Sequence, residues 1–165
     1  MYRIKIIIGV LKMRIKNLDE LEQFAHVLAS RLKGQDLILL NGDLGAGKTT
    51  LTQLIGKALG VKRVINSPTF NIIKSYQGDK LQLHHMDCYR LEESEEDLGF
   101  DEYFLDEEAV TIIEWSQFIE TFLPNAFLEI NIKVIDETTR DITIHAKGRH
   151  YQDMKEGIER EVSFN

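Results

Sequence analysis

The sequence predicts an α/β domain whose central sheet mixes parallel and antiparallel strands. The chain has 165 residues, which is the size of one ordinary domain. Helix-like and strand-like apolar patterns alternate along it, and a glycine-rich segment joins a strand pattern to a helix pattern. The composition is 43% apolar and 28% charged, which is typical of a globular protein and excludes wholesale disorder.

The N-terminal segment has two interpretations. The apolar run at residues 6–11 is shorter than a secretory signal or a membrane span requires, and basic residues follow it in place of a small-residue cleavage site. We therefore expect no membrane partner. Residues 1–12 form either an extension ahead of a domain that begins near Met13 or a strand of that domain, and the sequence leaves both open.

The first half of the chain then alternates helix, strand and helix patterns. Asn17 can cap a helix whose apolar residues recur at three- and four-residue steps over residues 18–32, and Gly34 is its expected stop. The unbroken apolar run at 37–40 is typical of a central strand buried on both faces. Helical spacing returns from Lys48 onward.

The second half predicts antiparallel pairs around another buried strand. Strands are expected at 70–76, 81–86, 110–113, 127–135 and 141–146, and a helix at 115–122. The first two strands form a hairpin through the turn at 77–80, and the last two form a second antiparallel pair. Residues 149–165 are polar and form a tail or a frayed helix, so we expect a single domain over residues 1–165.

A glycine-rich loop at residues 42–49 matches the phosphate-binding pattern G-x-x-x-x-G-K-[ST] at every fixed position. Its glycines allow backbone N–H groups to point at phosphate oxygens, and the following helix presents its positive N-terminus. Lys48 can reach the β- and γ-phosphates, and the Thr49 hydroxyl can coordinate Mg²⁺. The motif predicts a three-layer P-loop NTPase-like fold with nucleotide bound by Asp43, Leu44, Gly45, Ala46, Gly47, Lys48 and Thr49.

A nucleotide-hydrolysing loop also needs acidic residues that hold the metal and orient water. Asp87 and Glu114 each follow a predicted strand, so both carboxylates are expected at strand carboxyl ends. The sequence does not decide which of them binds Mg²⁺ more directly, and each also fits a helix-capping carboxylate. Thr69, in a proline-stiffened loop, is either a nucleotide-sensing switch residue or an ordinary turn threonine.

Four short motifs occur in order along the chain, namely GDLGAGKTT at 42–50, SPTF at 67–70, HMDCYRL at 85–91 and IEW at 113–115. In this combination the chain resembles the TsaE (YjeE) family, small bacterial P-loop ATPases of tRNA threonylcarbamoyladenosine biosynthesis. The resemblance spans residues 13–148. It implies a cytoplasmic protein that binds ATP and hydrolyses it slowly with Mg²⁺ while engaging TsaB and TsaD, and tRNA indirectly through them.

The resemblance also implies roles for individual residues. The residues that correspond to the family's catalytic set are Lys48, Thr69, Asp87 and Glu114. Thr49 and Glu114 would contact magnesium, and Thr69 would be the switch residue. The nucleotide contacts implied beyond residues 43–49 are Thr50 to phosphate, Trp115 near the nucleotide, and Asn17 and Arg140 to its base or ribose.

The acidic charge of the chain is concentrated in one segment. Lys and Arg number 20 against 27 Asp and Glu, which gives a formal charge of −7. Ten of the acidic residues lie between Glu92 and Glu108, where a solvated face that also packs, or a partner-docking segment, is expected. Outside it 17 acidic residues face 20 basic ones, so the acidic balance does not exclude a role beside tRNA.

Several chemically capable residues receive no catalytic role. His84 and His85 are adjacent in a strand and point to opposite faces, so they cannot share one metal ion, and packing is favoured. The lone Cys88 cannot form an internal disulfide, which fits a reducing cytoplasm, and a buried small side chain is favoured over a reactive thiol. Arg90 either approaches the phosphates or pairs with the acidic segment.

The leading hypothesis is a weak Mg²⁺-dependent ATPase that drives a conformational cycle in a protein complex. A GTPase is disfavoured because the chain contains no N-K-x-D base-recognition string. One alternative is a nucleotide-dependent binding module without significant turnover, because a P-loop establishes binding better than hydrolysis. The other is a small-molecule kinase, which needs an acceptor pocket and an arginine-bearing lid.

Overall fold

The computed structural model describes residues 4–7, 9–68 and 70–162, so the predicted switch residue Thr69 lies outside the described residues. The strands are β1 Ile4–Ile7, β2 Val10–Ile15, β3 Leu37–Gly42, β4 Ile73–Gln77, β5 Gln82–Asp87, β6 Ala109–Glu114, β7 Phe127–Val134 and β8 Arg140–Lys147. The α-helices are α1 Leu18–Ser30, α2 Lys48–Ala58, α3 Phe100–Phe104 and α4 Arg149–Glu161, and short 3₁₀ helices cover Tyr89–Leu91 and Ser116–Phe122.

The described strands form one mixed sheet in the order β1-β2-β8-β7-β3-β6-β5-β4. The central strand β3 runs parallel to both β6 and β7, and β5 runs parallel to β6. The remaining pairs are antiparallel, including the predicted hairpin β4–β5 and the predicted pair β7–β8. The predicted α/β class with a mixed sheet and antiparallel hairpins is confirmed.

Apolar residues on the two faces of the sheet form two cores. Even-numbered residues of β3, such as Ile38 and Leu40, pack into a core shared with α1, α2 and α4. The odd-numbered Leu37 and Leu39 pack into a second core with α3 and the two 3₁₀ helices. Because β3 is buried on both faces, its unbroken apolar run was the correct signal for a central strand.

The first helix ends earlier than predicted. It stops at Ser30, where the Arg31 N–H bonds back to Leu28 O at 3.0 Å, so the expected stop at Gly34 is wrong. The glycine at 34 serves a different purpose, because a Cβ atom there would overlap the backbone of Glu107. Close approach of two chain segments therefore explains this glycine.

Two elements of the second half also differ from the prediction. Strand β4 begins at Ile73, because Ile72 adopts a left-handed φ of 62° and bonds through its N–H to Pro68 O. The predicted helix at 115–122 is a 3₁₀ helix over Ser116–Phe122 with a kink at Ile119. Its three-residue turn stacks Trp115 on Phe118, with ring planes 2° apart and centroids 5.8 Å apart.

Both ends of the described chain belong to the structure. Strands β1 and β2 pair antiparallel, and Met13 is completely buried in the middle of β2. The C-terminal segment, predicted as a polar tail or a frayed helix, contains α4, whose buried residues Tyr151, Met154 and Ile158 pack into the first core. The described helices lack the length and continuous apolar surface of a bilayer-spanning helix.

The acidic segment packs as well as facing solvent. Phe100 and Phe104 of α3 are buried in the second core, whereas Leu105 is exposed. The acidic side chains of this segment therefore lie on an amphipathic strip that covers the sheet, as the alternation of acidic and aromatic residues indicated.

Candidate nucleotide-binding site

The glycine-rich loop connects the carboxyl end of β3 directly to the N-terminus of α2. Gly45 and Gly47 adopt φ values of 81° and 108°, a region that residues with a Cβ atom rarely occupy. A Cβ atom at Gly42 would lie 2.9 Å from Ile132 O, so the loop leaves the sheet through a gap that only glycine fits. The loop tip is open, with Asp43 exposed and Leu44 96% exposed, whereas Ala46 is buried.

The N-terminus of α2 has the character of an anion site. Its N-cap is Gly47, which offers no capping side chain, and no acidic residue lies in the first turn. The first-turn N–H groups and the positive end of the helix dipole therefore favour a bound anion. Thr49 and Thr50 lie half-buried in the same turn.

Lys48 is held at the base of the loop by two partners. Its Nζ lies 3.8 Å from Glu114 Oε1, and only 9% of the Lys48 side chain and 6% of the Glu114 side chain are exposed. The same Nζ lies 4.8 Å from the centroid of the Trp115 ring. The structure thus brings together the predicted residues Lys48, Glu114 and Trp115.

Glu114 and Asp87 end neighbouring parallel strands and are direct register partners. Glu114 faces the loop, since its Oε1 lies 3.8 Å from Lys48 Nζ, and its other neighbour in register is Leu40 of β3. The Asp87 carboxylate accepts hydrogen bonds from the Tyr89 N–H at 3.1 Å and the Ser67 hydroxyl at 3.4 Å. Asp87 therefore links the end of β5 to Ser67.

The donor set suits a magnesium ion bound together with phosphate. Two carboxylates at strand ends and the Thr49 hydroxyl are hard oxygen donors, which Mg²⁺ prefers. The described residues contain no cluster of three His, Cys, Asp or Glu side chains able to hold a metal ion by themselves. Such a sparse set fits a metal whose remaining ligands are water and phosphate oxygens.

Arg140 reaches the loop from β8. Its Nε donates to Ala46 O at 3.0 Å, and a terminal nitrogen donates to Asp136 O at 2.7 Å and Thr139 O at 3.0 Å. Arg140 therefore holds the backbone of the phosphate-binding loop. Asn17 caps α1 by accepting from the Glu20 N–H at 2.9 Å, and its predicted contact to a nucleotide remains a prediction.

Comparison with known proteins agrees with this geometry. The family model described as "Threonylcarbamoyl adenosine biosynthesis protein TsaE" matches residues 15–142. The chain belongs to the TsaE family.

Individual relatives cover most of the chain. The tRNA threonylcarbamoyladenosine biosynthesis protein TsaE of Bacillus subtilis is 45% identical over 150 residues, covering 91% of this chain and 94% of that protein. The protein of the same name from Rickettsia prowazekii is 40% identical over 129 residues, covering 76% and 88%. The crystal structure of Bacillus subtilis YdiB superimposes with a TM-score of 0.80 at 37% identity, covering 99% of this chain and 100% of that one.

The site of this TsaE family member includes one residue to which the sequence assigned only packing. His84 and His85 face opposite sides of the sheet as predicted, but both are hydrogen-bonded. His84 lies between the Ser75 hydroxyl at 2.7 Å and the Asp106 carboxylate at 2.9 Å, and this contact lowers the pKa of Asp106. His85 Nε2 lies 2.8 Å from Glu114 Oε2.

The alternation of side chains between the two faces of β5 could have indicated that His85 lies at the site. Residues 85 and 87 of β5 face the same side, so a side chain two positions before a predicted site carboxylate shares its face. The pairing of β5 with β6, which brings His85 to Glu114, could not be predicted from either strand alone.

Cys88 and Arg90 lie beside the site without joining it. Burial, with a smaller contribution from the charge of Asp87, raises the pKa of the Cys88 thiol to about 12, so it is an inert buried side chain. Arg90 contacts Phe70 by a hydrogen bond to its carbonyl oxygen at 3.4 Å and by the ring, 5.4 Å from the centroid. Arg90 thus braces the loop that carries the SPTF motif.

A cleft of about 670 Å³ opens beside Lys48. It runs between the 3₁₀ helix at Ser116–Phe122 and the face of β3 and β7 opposite the first core, and its lining includes Trp115, Glu129 and Asn131. The cleft therefore begins at the phosphate-binding loop and extends over a polar part of the sheet.

Proposed function

We propose that this protein binds and hydrolyses ATP with Mg²⁺ and thereby cycles the TsaB and TsaD complex that carries out threonylcarbamoyladenosine modification of tRNA. The observation that carries the proposal is the convergence of Lys48 and Glu114 at 3.8 Å beside an uncapped helix N-terminus. Its place in the TsaE family supports the pathway. The cytoplasm is the proposed location, since TsaB, TsaD and tRNA are its proposed contacts.

Each part of the loop contributes to binding in a different way. Backbone N–H groups from residues 43–50 bind phosphate oxygens, and Arg140 holds the loop through Ala46 O. Lys48 supplies the positive charge for the β- and γ-phosphates. Trp115 lies against Lys48 and limits the directions in which that side chain can move.

Thr49 and Glu114 would hold the magnesium ion, and Asp87 lies next to Glu114 in register. When bound, the ion would supply positive charge that offsets the negative charge of the phosphates. Glu114 or Asp87 would orient the attacking water. Thr69 is the proposed switch residue, in a loop that the Ser67–Asp87 hydrogen bond joins to the same strand end.

The Lys48–Glu114 ion pair supports weak intrinsic hydrolysis. Both charges are buried and compensate each other, so phosphate must compete with Glu114 for Lys48. A partner that shifts Lys48 towards the phosphates would accelerate the reaction. We therefore propose low turnover for the isolated chain and altered turnover in the presence of TsaB and TsaD.

The deciding experiment measures phosphate release from ATP by the chain alone and with TsaB and TsaD, using Thr69→Ala as a test variant. The wild-type chain should release phosphate in a Mg²⁺-dependent manner. Thr69→Ala should retain nucleotide binding and lose turnover; equal activity in the variant and the wild type would remove Thr69 from the site. Preference for GTP over ATP would contradict the proposal.

Phosphate transfer to a metabolite is the second candidate activity, because the cleft beside Lys48 offers the acceptor space that a small-molecule kinase needs. Product analysis separates the candidates: inorganic phosphate alone supports an ATPase, and a phosphorylated metabolite supports a kinase. Nucleotide binding without any phosphate release supports a binding module.

A further inference from the structure

His85 is a completely buried polar side chain in direct contact with the site. It lies on β5, and its Nε2 lies 2.8 Å from Oε2 of Glu114, which is itself nearly inaccessible. Its other ring nitrogen, Nδ1, is buried and has no hydrogen-bond partner among the described residues. Among the residues that the structure describes, Glu114 is therefore the single polar contact of the ring.

This contact determines the tautomer of the ring. A carboxylate oxygen accepts, so Nε2 must donate a proton to Glu114 Oε2. Placing the second proton on Nδ1 would create a buried N–H without an acceptor, whereas a bare Nδ1 is only an unused acceptor. The neutral ring with its proton on Nε2 fits these surroundings best.

The two oxygens of Glu114 consequently have separate partners. Oε2 is held by His85, and Oε1 faces Lys48 Nζ at 3.8 Å. A carboxylate held at one oxygen loses rotational freedom, so the other oxygen keeps a constant direction relative to the loop. A purely apolar side chain would fill the space of His85 without an unpaired nitrogen but could not orient Glu114.

We propose that His85 is a positioning residue for the magnesium site. Its Nε2–H holds the Glu114 carboxylate so that Oε1 is directed at the phosphate-binding loop, where Lys48 and the ion would meet it. This inference rests on the proposed nucleotide and magnesium binding, and it concerns the affinity for the ion more than the affinity for the nucleotide.

The test compares His85→Leu and His85→Gln in the full chain, with His84→Leu as the matched control on the opposite face. Mn²⁺ replaces Mg²⁺, and its binding to the ADP-loaded protein is measured by electron paramagnetic resonance. His85→Leu should weaken Mn²⁺ binding by about tenfold or more. His85→Gln should restore most of it, because the glutamine amide can place an N–H near the position of Nε2.

Two further readouts separate positioning from general damage. ADP binding in EDTA should change little in His85→Leu, and the His84→Leu control should bind Mn²⁺ like the wild type. Unchanged Mn²⁺ affinity in His85→Leu, or equal loss in the leucine and glutamine variants, overturns the proposal. If the wild-type chain binds Mn²⁺ and nucleotide but releases no phosphate, the ATPase proposal fails and the role of His85 is still tested.

A measurement that keeps His85 unaltered covers the case in which its variants do not fold. Nitrogen-15 NMR of the wild-type imidazole should show the His85 proton on Nε2, and Glu114→Gln should shift that resonance. A proton on Nδ1 with a bare Nε2, or a signal that Glu114→Gln leaves unchanged, would overturn the proposal.

Discussion

In the parallel half of the sheet (β3, β5 and β6), both members of an ion pair are buried, whereas in the antiparallel half (β2, β7 and β8) the acidic member of an ion pair is buried and its basic partner is exposed. Lys48 and Glu114 are each less than a tenth exposed. On the antiparallel half, Arg14 is 48% exposed and pairs with Asp141 at 2.8 Å. The two ion pairs have similar chemistry in different surroundings.

The difference follows from how each half is covered. The parallel strands have helices on both faces, and their acidic residues Asp87 and Glu114 lie at the carboxyl ends, next to the loop. The antiparallel strands bury one face only, so lysines and arginines on the other face are hydrated. Buried charges are costly, and their presence at one strand end therefore marks a site.

The largest effect is expected for Lys48→Ala. Removal of the buried cation should lower ATP hydrolysis by about a hundredfold or more, because no other described side chain replaces its charge at Glu114 Oε1. Phosphate release measures this loss. Lys12→Ala removes an exposed lysine from the antiparallel half and should retain activity. An equal loss of ATP hydrolysis in both variants would contradict the distinction between the two halves.

Truncation in the core of the parallel half should strongly reduce stability. Ile112→Ala creates a cavity in β6, which is buried along its whole length, and should lower the free energy of unfolding by about 2–5 kcal/mol. Val134→Ala, at an exposed end of β7, should change it by less than about 0.5 kcal/mol. Denaturant unfolding compares them, and a similar cost for both would contradict the assignment of β6 to the core.

Arg140 connects the two halves and should have an intermediate effect. Arg140→Ala removes the donor to Ala46 O and should weaken ATP binding by about tenfold, the size of one lost hydrogen bond with its loosened loop. Calorimetric titration of the nucleotide measures the change. Arg149→Ala, an exposed arginine in α4, is the control, and equal affinity in the wild type and Arg140→Ala would argue against a loop-holding role.

The smallest effect concerns the pH dependence of the Arg14–Asp141 pair. The Arg14 guanidinium holds the pKa of Asp141 below its ordinary value of 3.8, so the pair stabilises the fold above that pH and this contribution disappears as the pH falls through the lowered pKa. Asp141→Asn should therefore have a lower melting temperature than the wild type at neutral pH, and the gap should close in acid. In an Arg14→Gln background the gap should already be small at neutral pH.

Much of the fold could be predicted from local patterns. The apolar run at 37–40, the glycine loop and the three-residue and four-residue spacing after Lys48 are signals of single elements, and each corresponds to an observed element. The segment at 115–122 was predicted as a helix, but its spacing, which fits three or four residues per turn, did not distinguish a 3₁₀ helix from an α-helix. The stacking of Trp115 on Phe118, three residues further on, favours the three residues per turn of a 3₁₀ helix.

The C-terminal segment shows that amino-acid composition alone does not predict whether a segment packs against the core. Residues 149–161 are mostly charged, and the sequence predicted a polar tail or a frayed helix, yet three residues spaced along one side bury α4 against the sheet. A narrow apolar stripe on a polar helix is a weak signal without the surface that receives it. Helix formation here is decided by tertiary packing.

The sequence by itself determined the phosphate-binding loop, the identity of the acidic candidates and membership in a family, because these depend on residue types at fixed spacing along the chain. Only the tertiary structure decided which side chains meet. Strand pairing set Glu114 beside Asp87 and His85, and β8 brought Arg140 to Ala46. Such contacts join residues far apart in sequence, and their geometry depends on the register of the whole sheet, which no local pattern encodes.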